Sequence, residues 1–195
     1  NDIALYNSNS VSPTVAGSFF VKSVVAVVIT AILVVIYVGI RFRRIGGVSA
    51  AVTALCALVF DVLITFFTCV LFKLQLDSNY IAVVLTILGY SLNDTIYDRV
   101  RENKRLMPDA EIGEVVNASI NTTLKRNVIT SLTTFVAVMT IVTVSELFGL
   151  STLRTFAIPM AFGIVSGAVS SLFIAGPLWV RWKRHKAKKA AAKKK

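Results

Sequence analysis

The sequence predicts an all-α transmembrane protein with five membrane spans and a cytoplasmic amphipathic helix, and three observations carry that expectation. Hydrophobic residues make up 55% of the 195-residue chain and charged residues only 16%, whereas a soluble domain carries about a quarter. The apolar residues gather into runs near the roughly 20 residues that a helix needs to cross a bilayer. The basic residues, 21 Lys+Arg against 10 Asp+Glu for a net charge of +11, collect between and after those runs. Such a composition excludes a disordered chain, a disulfide scaffold and a secreted enzyme. It also lacks the solvated basic face of a nucleic-acid binder, so no specific nucleic-acid partner is expected.

The spans follow in chain order. The first covers residues 17–40 and stops at Arg41-Phe42-Arg43-Arg44; the second covers 48–72. The third, 79–97, has an unbroken apolar part (80–90) that is too short alone, so it spans only if Ser91-Leu92-Asn93-Asp94-Thr95 lies within the membrane. The fourth, 127–147, is rich in Thr, and the fifth, 156–182, holds Pro159 near its start and Pro177 near its end. Cys56 and Cys69 stand on one helix about 20 Å apart in rise and cannot pair. The chain begins at Asn1 with no signal-type segment, which reads as a fragment of something longer.

Charge sets the expected orientation. With the N-terminus outside, 18 of the 21 basic residues fall on the cytoplasmic side, in 41–44, 98–126 and the C-terminal end from Arg181. Only Lys22, Lys73 and Arg154 fall outside, so the positive-inside rule selects N-out and C-in. Within the cytoplasmic loop 98–126, Ile112, Val115, Val116, Ile120 and Leu124 recur at helical spacing. Early acids Asp109, Glu111 and Glu114 and late bases Lys125 and Arg126 complement a helix dipole. This reads as a helix lying on the membrane face. The tail 183–195 has the composition of a disordered polybasic arm, with anionic lipid as its expected partner.

Polar residues inside the spans are the functional candidates. Asp61 stands near the midplane of the second span, where an ionisable group is costly unless neutralised or paired. Its two readings are a functional group and a protonated carboxyl that hydrogen-bonds a neighbouring helix. Asn93-Asp94 completes the third span. Burial favours the neutral acid and a nearby cation the carboxylate, and a group balanced between them can take up and release a proton. The other reading of Asp94 is a solvated residue at the helix end. Arg126 is the nearest candidate cation, with Thr130, Thr133 and Thr134 continuing its line along the helix; the alternative is a topological anchor. In the fifth span Gly163, Gly167, Ser171 and Ala175 recur every four residues, a small-residue ridge that lets another helix approach closely. No P-loop, metal cluster or nucleophile–base pair stands out, and the one His, His185, lies in the basic tail. No enzyme activity, metal or cofactor is expected.

The run Gly89-Tyr90-Ser91-Leu92-Asn93-Asp94-Thr95, followed by Asp98-Arg99-Val100-Arg101-Glu102-Asn103, closely resembles the signature of the SecF family, partners of SecD in bacterial protein export. Phe60-Asp61-Val62-Leu63-Ile64-Thr65, Ser119-Ile120-Asn121-Thr122-Thr123-Leu124 and Thr130-Ser131-Leu132-Thr133-Thr134 fit the same family. Val11-Ser12-Pro13-Thr14-Val15-Ala16 is similar to the end of its external domain, which would place residues 1–16 there. The chain thus looks like spans two to six of a six-span bundle with the fold of RND-type transporters. Two residues, Ile96-Tyr97, stand where the family usually has four.

The resemblance implies a subunit of a SecD–SecF complex, with SecD separate or fused, in the bacterial inner membrane. Such a complex uses the proton-motive force to assist late translocation of an unfolded exported polypeptide through SecYEG. YajC and YidC are further implied partners, and protons are the only coupling species. Asp94 and Arg126 match the acid and the base of the family's proton path, flanked by Asn93 and Thr95. Asp61 matches the acid of the preceding helix, whose role is less definite. Two other readings of the residues remain: an RND-type exporter half for small molecules or lipids, and a translocon scaffold without proton chemistry.

Overall fold

The computed structural model describes residues 13–93 and 96–192. Among these residues every regular element is helical. α1 (Pro13–Arg41) opens with proline at its first position, where the missing N–H costs nothing. A single 3-10 turn (Arg43–Ile45) leads into α2 (Gly47–Leu71). Gly46, at φ 100°, occupies the left-handed region and reverses the chain there. Gly47 is pressed against the backbone carbonyl of Gly39, so that any Cβ at 47 would collide with it. This glycine pair is what brings the end of α1 and the start of α2 into backbone contact.

At the far end of the hairpin, Asp77 caps α3 (Ser78–Asn93): its Oδ1 accepts the backbone N–H groups of Asn79 at 2.9 Å and Tyr80 at 3.3 Å. α4 (Tyr97–Leu106) is a short helix. α5 (Ile112–Leu147) runs unbroken for 36 residues, about 54 Å. α6 (Ser151–Val169), a π-helical segment (Ser170–Ala175) and α7 (Gly176–Ala192) continue one another. Among the described residues four stretches are long and apolar enough to cross a membrane: Val21–Arg41, Gly47–Leu71, Ile112–Leu147 and Ser151–Lys189. Ser78–Ser91 is a shorter apolar helix.

α6 is the central element, packed on α2, α3 and α5, while α1 lies outside against α2. The apolar residues of α1 are therefore exposed around most of its circumference, with Val34 and Val38 its buried contacts. The largest fully buried side chains meet at one end of the bundle. The Tyr97 ring lies tilted at 5.6 Å from Phe42 and edge-on at 6.1 Å from Trp179. Tyr97 and Thr53 share a 2.6 Å hydroxyl contact, and Trp179 Nε1 donates to Ser49 Oγ at 3.0 Å. One aromatic cluster thereby ties together the end of α1, α2, α4 and α7.

Three features differ from the sequence reading. The amphipathic segment of loop 98–126 is not a separate helix on the membrane face. It is the first part of the fourth span's own helix, because no proline or glycine interrupts the chain after Gly113. Of the third span, expected over 79–97, the described helix covers Ser78–Asn93, about 24 Å, and residues 94–95 lie outside the described residues. The fifth span starts at Ser151 rather than 156, with Pro159 buried inside α6. The tail is helical as far as Ala192, as its content of good helix formers permits. Of the segment assigned to an external domain, residues 1–12 lie outside the described residues, and Pro13 already belongs to α1.

Candidate functional site: a buried carboxylate held by three serines

Asp61 stands 14 residues after the start of α2 and 10 before its end. Its side chain is fully buried at 0% exposure. Ser166 Oγ donates to Asp61 Oδ1 at 2.6 Å, while Ser170 Oγ and Ser91 Oγ donate to Oδ2 at 2.9 and 2.8 Å. The donors come from α6, the first residue of the π segment and α3. Two of them, Ser166 and Ser170, are four residues apart and share a helix face. Thr65, one turn further along α2, donates its hydroxyl to the Asp61 carbonyl at 2.7 Å and keeps that backbone acceptor satisfied.

Chemically the Asp61 carboxyl is able to hold one proton. A carboxylate accepts up to about four hydrogen bonds and here receives three, so the charged form is well provided for. Serine hydroxyls rotate and can accept as well as donate, so the same shell can also hold the neutral acid by reorienting without moving the backbone. Ser170 begins the π-helical segment, a departure from α geometry that recurs at functional positions in helices. Among the described residues no group of three His, Cys, Asp or Glu could hold a metal ion.

The small-residue ridge lies against this site. A Cβ on Gly163 would run into Ile87 of α3 and come within 3.2 Å of Thr65 Oγ1. On Gly167 it would meet Ser91 Cβ at 3.5 Å and Asp61 Oδ2 at 3.8 Å, ordinary contact distances. Ser171 is buried, and its hydroxyl donates to the Ala168 carbonyl at 3.2 Å. These residues set how closely α6 approaches α2 and α3, and hence whether its serines reach Asp61.

Of the remaining candidates that are described, Arg126 is not among the residues that hydrogen-bond Asp61. Asn93 is the last residue of α3, and Asp94 and Thr95 lie outside the described residues. Arg126 is exposed on α5. The buried positions of that helix here are its neighbour Asn127 and, one turn on, Ser131, to which Tyr90 of α3 donates at 3.3 Å. Thr133 and Thr134 return their hydroxyls to their own helix, at the Ile129 and Thr130 carbonyls. Ser91, Ser166 and Ser170 were not among the sequence candidates. The available signal was a pair of hydroxyls at i, i+4 in an apolar span of a chain with a buried acid to satisfy.

Comparison with known proteins places this bundle. A family profile described as "Protein export membrane protein SecD/SecF, C-terminal" matches residues 1–185. The protein translocase subunit SecDF of Bacillus subtilis is 38% identical over 193 residues, covering 95% of this chain and 25% of the relative. The protein translocase subunit SecF of Synechocystis sp. is 39% identical over 187 residues, covering 93% of this chain and 57% of the relative. A crystal structure of SecDF in a super-membrane-facing form superposes with a TM-score of 0.77 at 37% identity, covering 87% of this chain and 22% of that one. The chain thus spans between 22% and 57% of the length of these proteins, and it belongs to the SecD/SecF C-terminal family of protein-export membrane proteins.

Proposed function

We propose that the chain is the membrane portion of a SecF-type translocase subunit that couples inward proton flow to the late stages of protein export. It works with SecD, separate or fused, and with SecYEG, and its substrate is an unfolded exported polypeptide; YajC and YidC are further partners. The chain sits as a multi-pass protein in the bacterial inner membrane, N-terminus outside and C-terminus cytoplasmic. The excess of Lys and Arg between and after the spans supports that orientation. Protons are its only coupling species, and it holds no cofactor.

In this reading Asp94 carries the proton, flanked by Asn93 and Thr95, and Arg126 is the electrostatic switch that favours its release. Asp61 is a second proton-holding group in the preceding helix. The observation that supports proton handling is the fully buried Asp61 carboxylate with hydroxyl donors from three other elements at 2.6–2.9 Å. An intramembrane carboxyl kept among reorientable donors suits a group that changes protonation during a cycle. The test is Asp94→Asn in the full-length protein with SecD. Proton-dependent export into inverted vesicles should be lost while the complex with SecD still assembles. Export at the wild-type rate in that variant rejects the proton role.

A further inference from the structure

Arg41, Arg43, Arg101 and Arg105 line one cleft where the end of α1 meets α4. Among the described residues Asp98 is the acid that pairs with them, 3.1 Å from Arg41 Nη2 and 3.7 Å from Arg101 Nη2. Arg101 Nη1 also donates to the Arg41 carbonyl at 3.5 Å. Among the described residues Arg43 and Arg105 have no ion-pair partner. Four guanidiniums gathered around one carboxylate leave an excess of positive charge that an anion would neutralise, and the guanidinium fork matches phosphate oxygens.

The cleft opens into an apolar groove between α1 and α2. Val35, Ile36, Gly39 and Val48 line it, and Ile40 and Arg43 border both spaces. The groove exists because Gly47 packs on the Gly39 backbone, leaving no side chain between the helices at that level. Gly39 itself faces open space, with nothing within 4 Å of an added Cβ. Ile40 and Val48 are 65% and 74% exposed. Arg41 is also the last residue of the span Val21–Arg41. The groove therefore runs at hydrocarbon depth, and the arginines stand where headgroups begin.

We propose that the cleft and groove together bind one acidic diacyl phospholipid, its phosphate among Arg43, Arg101 and Arg105 and an acyl chain along the groove past Gly39. The charge sign selects an acidic headgroup, and the apolar continuation selects a lipid over a soluble anion. A lipid held there bridges the α1–α2 hairpin to α4, which carries Asp98 and Arg101.

The full-length translocase, purified and stripped of lipid, is titrated with phosphatidylglycerol, phosphatidylethanolamine and glycerol 3-phosphate while bound species are counted by native mass spectrometry. Phosphatidylglycerol should bind more tightly than either of the others. Arg43→Gln with Arg105→Gln should weaken it by roughly tenfold or more. Gly39→Leu, whose Cβ meets nothing within 4 Å and whose side chain adds bulk to the groove, should weaken the lipid and leave glycerol 3-phosphate unchanged. Undiminished lipid binding in the double arginine variant overturns the proposal, as it would if the groove were covered by protein. Equal binding of glycerol 3-phosphate and lipid, insensitive to Gly39→Leu, overturns it too and leaves a soluble-anion site.

Discussion

Ser166 donates its hydroxyl to Asp61 Oδ1 across 2.6 Å from a residue 105 positions further along the chain. The bond joins α2 to α6, and the flanking bonds from Ser91 and Ser170 bring α3 and the π segment to the same carboxylate. Three hydroxyls on one acid mean that no single donor is indispensable to its solvation. The acid itself is the common partner of all three.

That asymmetry makes a prediction about stability. Ser166→Ala or Ser170→Ala alone should cost about 0.5–2 kcal/mol, in the range of hydrogen bonds between membrane helices. Removing both should cost more than the sum, because the carboxylate then keeps only Ser91. Asp61→Asn, nearly isosteric and able to accept from two of the three hydroxyls, should unfold close to wild type. Thermal or denaturant unfolding of the complex in detergent checks the order. Additive serine effects would show that the three donors act independently.

A second prediction concerns the glycine ridge. Gly163→Ala forces its new methyl against Ile87, which is 1% exposed and has little room to move. Overpacking of this kind costs about 1–3 kcal/mol. Gly167→Ala meets its neighbours at ordinary distances and should be nearly neutral. Combining Gly163→Ala with Ile87→Ala removes the collision, so the double variant should be more stable than the two single losses added together. Unfolding midpoints for the four variants decide it; a Gly167→Ala defect as large as that of Gly163→Ala refutes the packing account.

Much of this was legible in the sequence, for identifiable physical reasons. Asp61 stands out because a charge inside a long apolar run has almost no solvated alternative. Its serine partners do not, since serine is common wherever membrane helices pack and its direction depends on helix rotation. The ridge Gly163–Gly167–Ser171 and the donor pair Ser166–Ser170 are offset by one residue, about 100° around the helix. Both lines face inward only because α6 has neighbours on several sides. The same one-residue offset separates exposed Arg126 from buried Asn127. The continuity of α5 was hidden because Lys125-Arg126 marks a plausible membrane border in composition, while the backbone needs a proline or glycine to stop and has none.

The aromatic cluster yields a third prediction. Thr53 already donates to the Ser49 carbonyl at 2.9 Å, so Tyr97 supplies the proton in their 2.6 Å contact. Tyr97→Phe therefore removes one bond and leaves Thr53 satisfied, a loss of about 1 kcal/mol. Trp179→Ala removes the ring that packs on Tyr97, along with the bond to Ser49, and should cost about 3–5 kcal/mol. It should also loosen α4 and α7 together, because both are anchored there. Hydrogen exchange of Val100 and nearby amides in each variant is the measurement. Protection of α4 unchanged in Trp179→Ala would show that α4 is held by other contacts.

Arg126 and Asn127 are adjacent on α5 and should separate function from stability. Arg126 is exposed, and a surface substitution that breaks no packing changes stability by only about 0.5 kcal/mol. Arg126→Ala should thus leave unfolding of the complex unchanged while proton-driven export falls by tenfold or more, the latter resting on the proposed switch role. Asn127 is 6% exposed and engaged by its surroundings, so Asn127→Ala should lower stability by about 1–3 kcal/mol. Arg126→Lys keeps the charge but not the planar fork, and partial export in that variant would show that charge, rather than bidentate geometry, is what the position supplies. Measuring export and unfolding on the same three variants reads both effects at once. A melting loss in Arg126→Ala equal to that in Asn127→Ala would mean that the arginine holds the helix in place and takes no part in proton transfer.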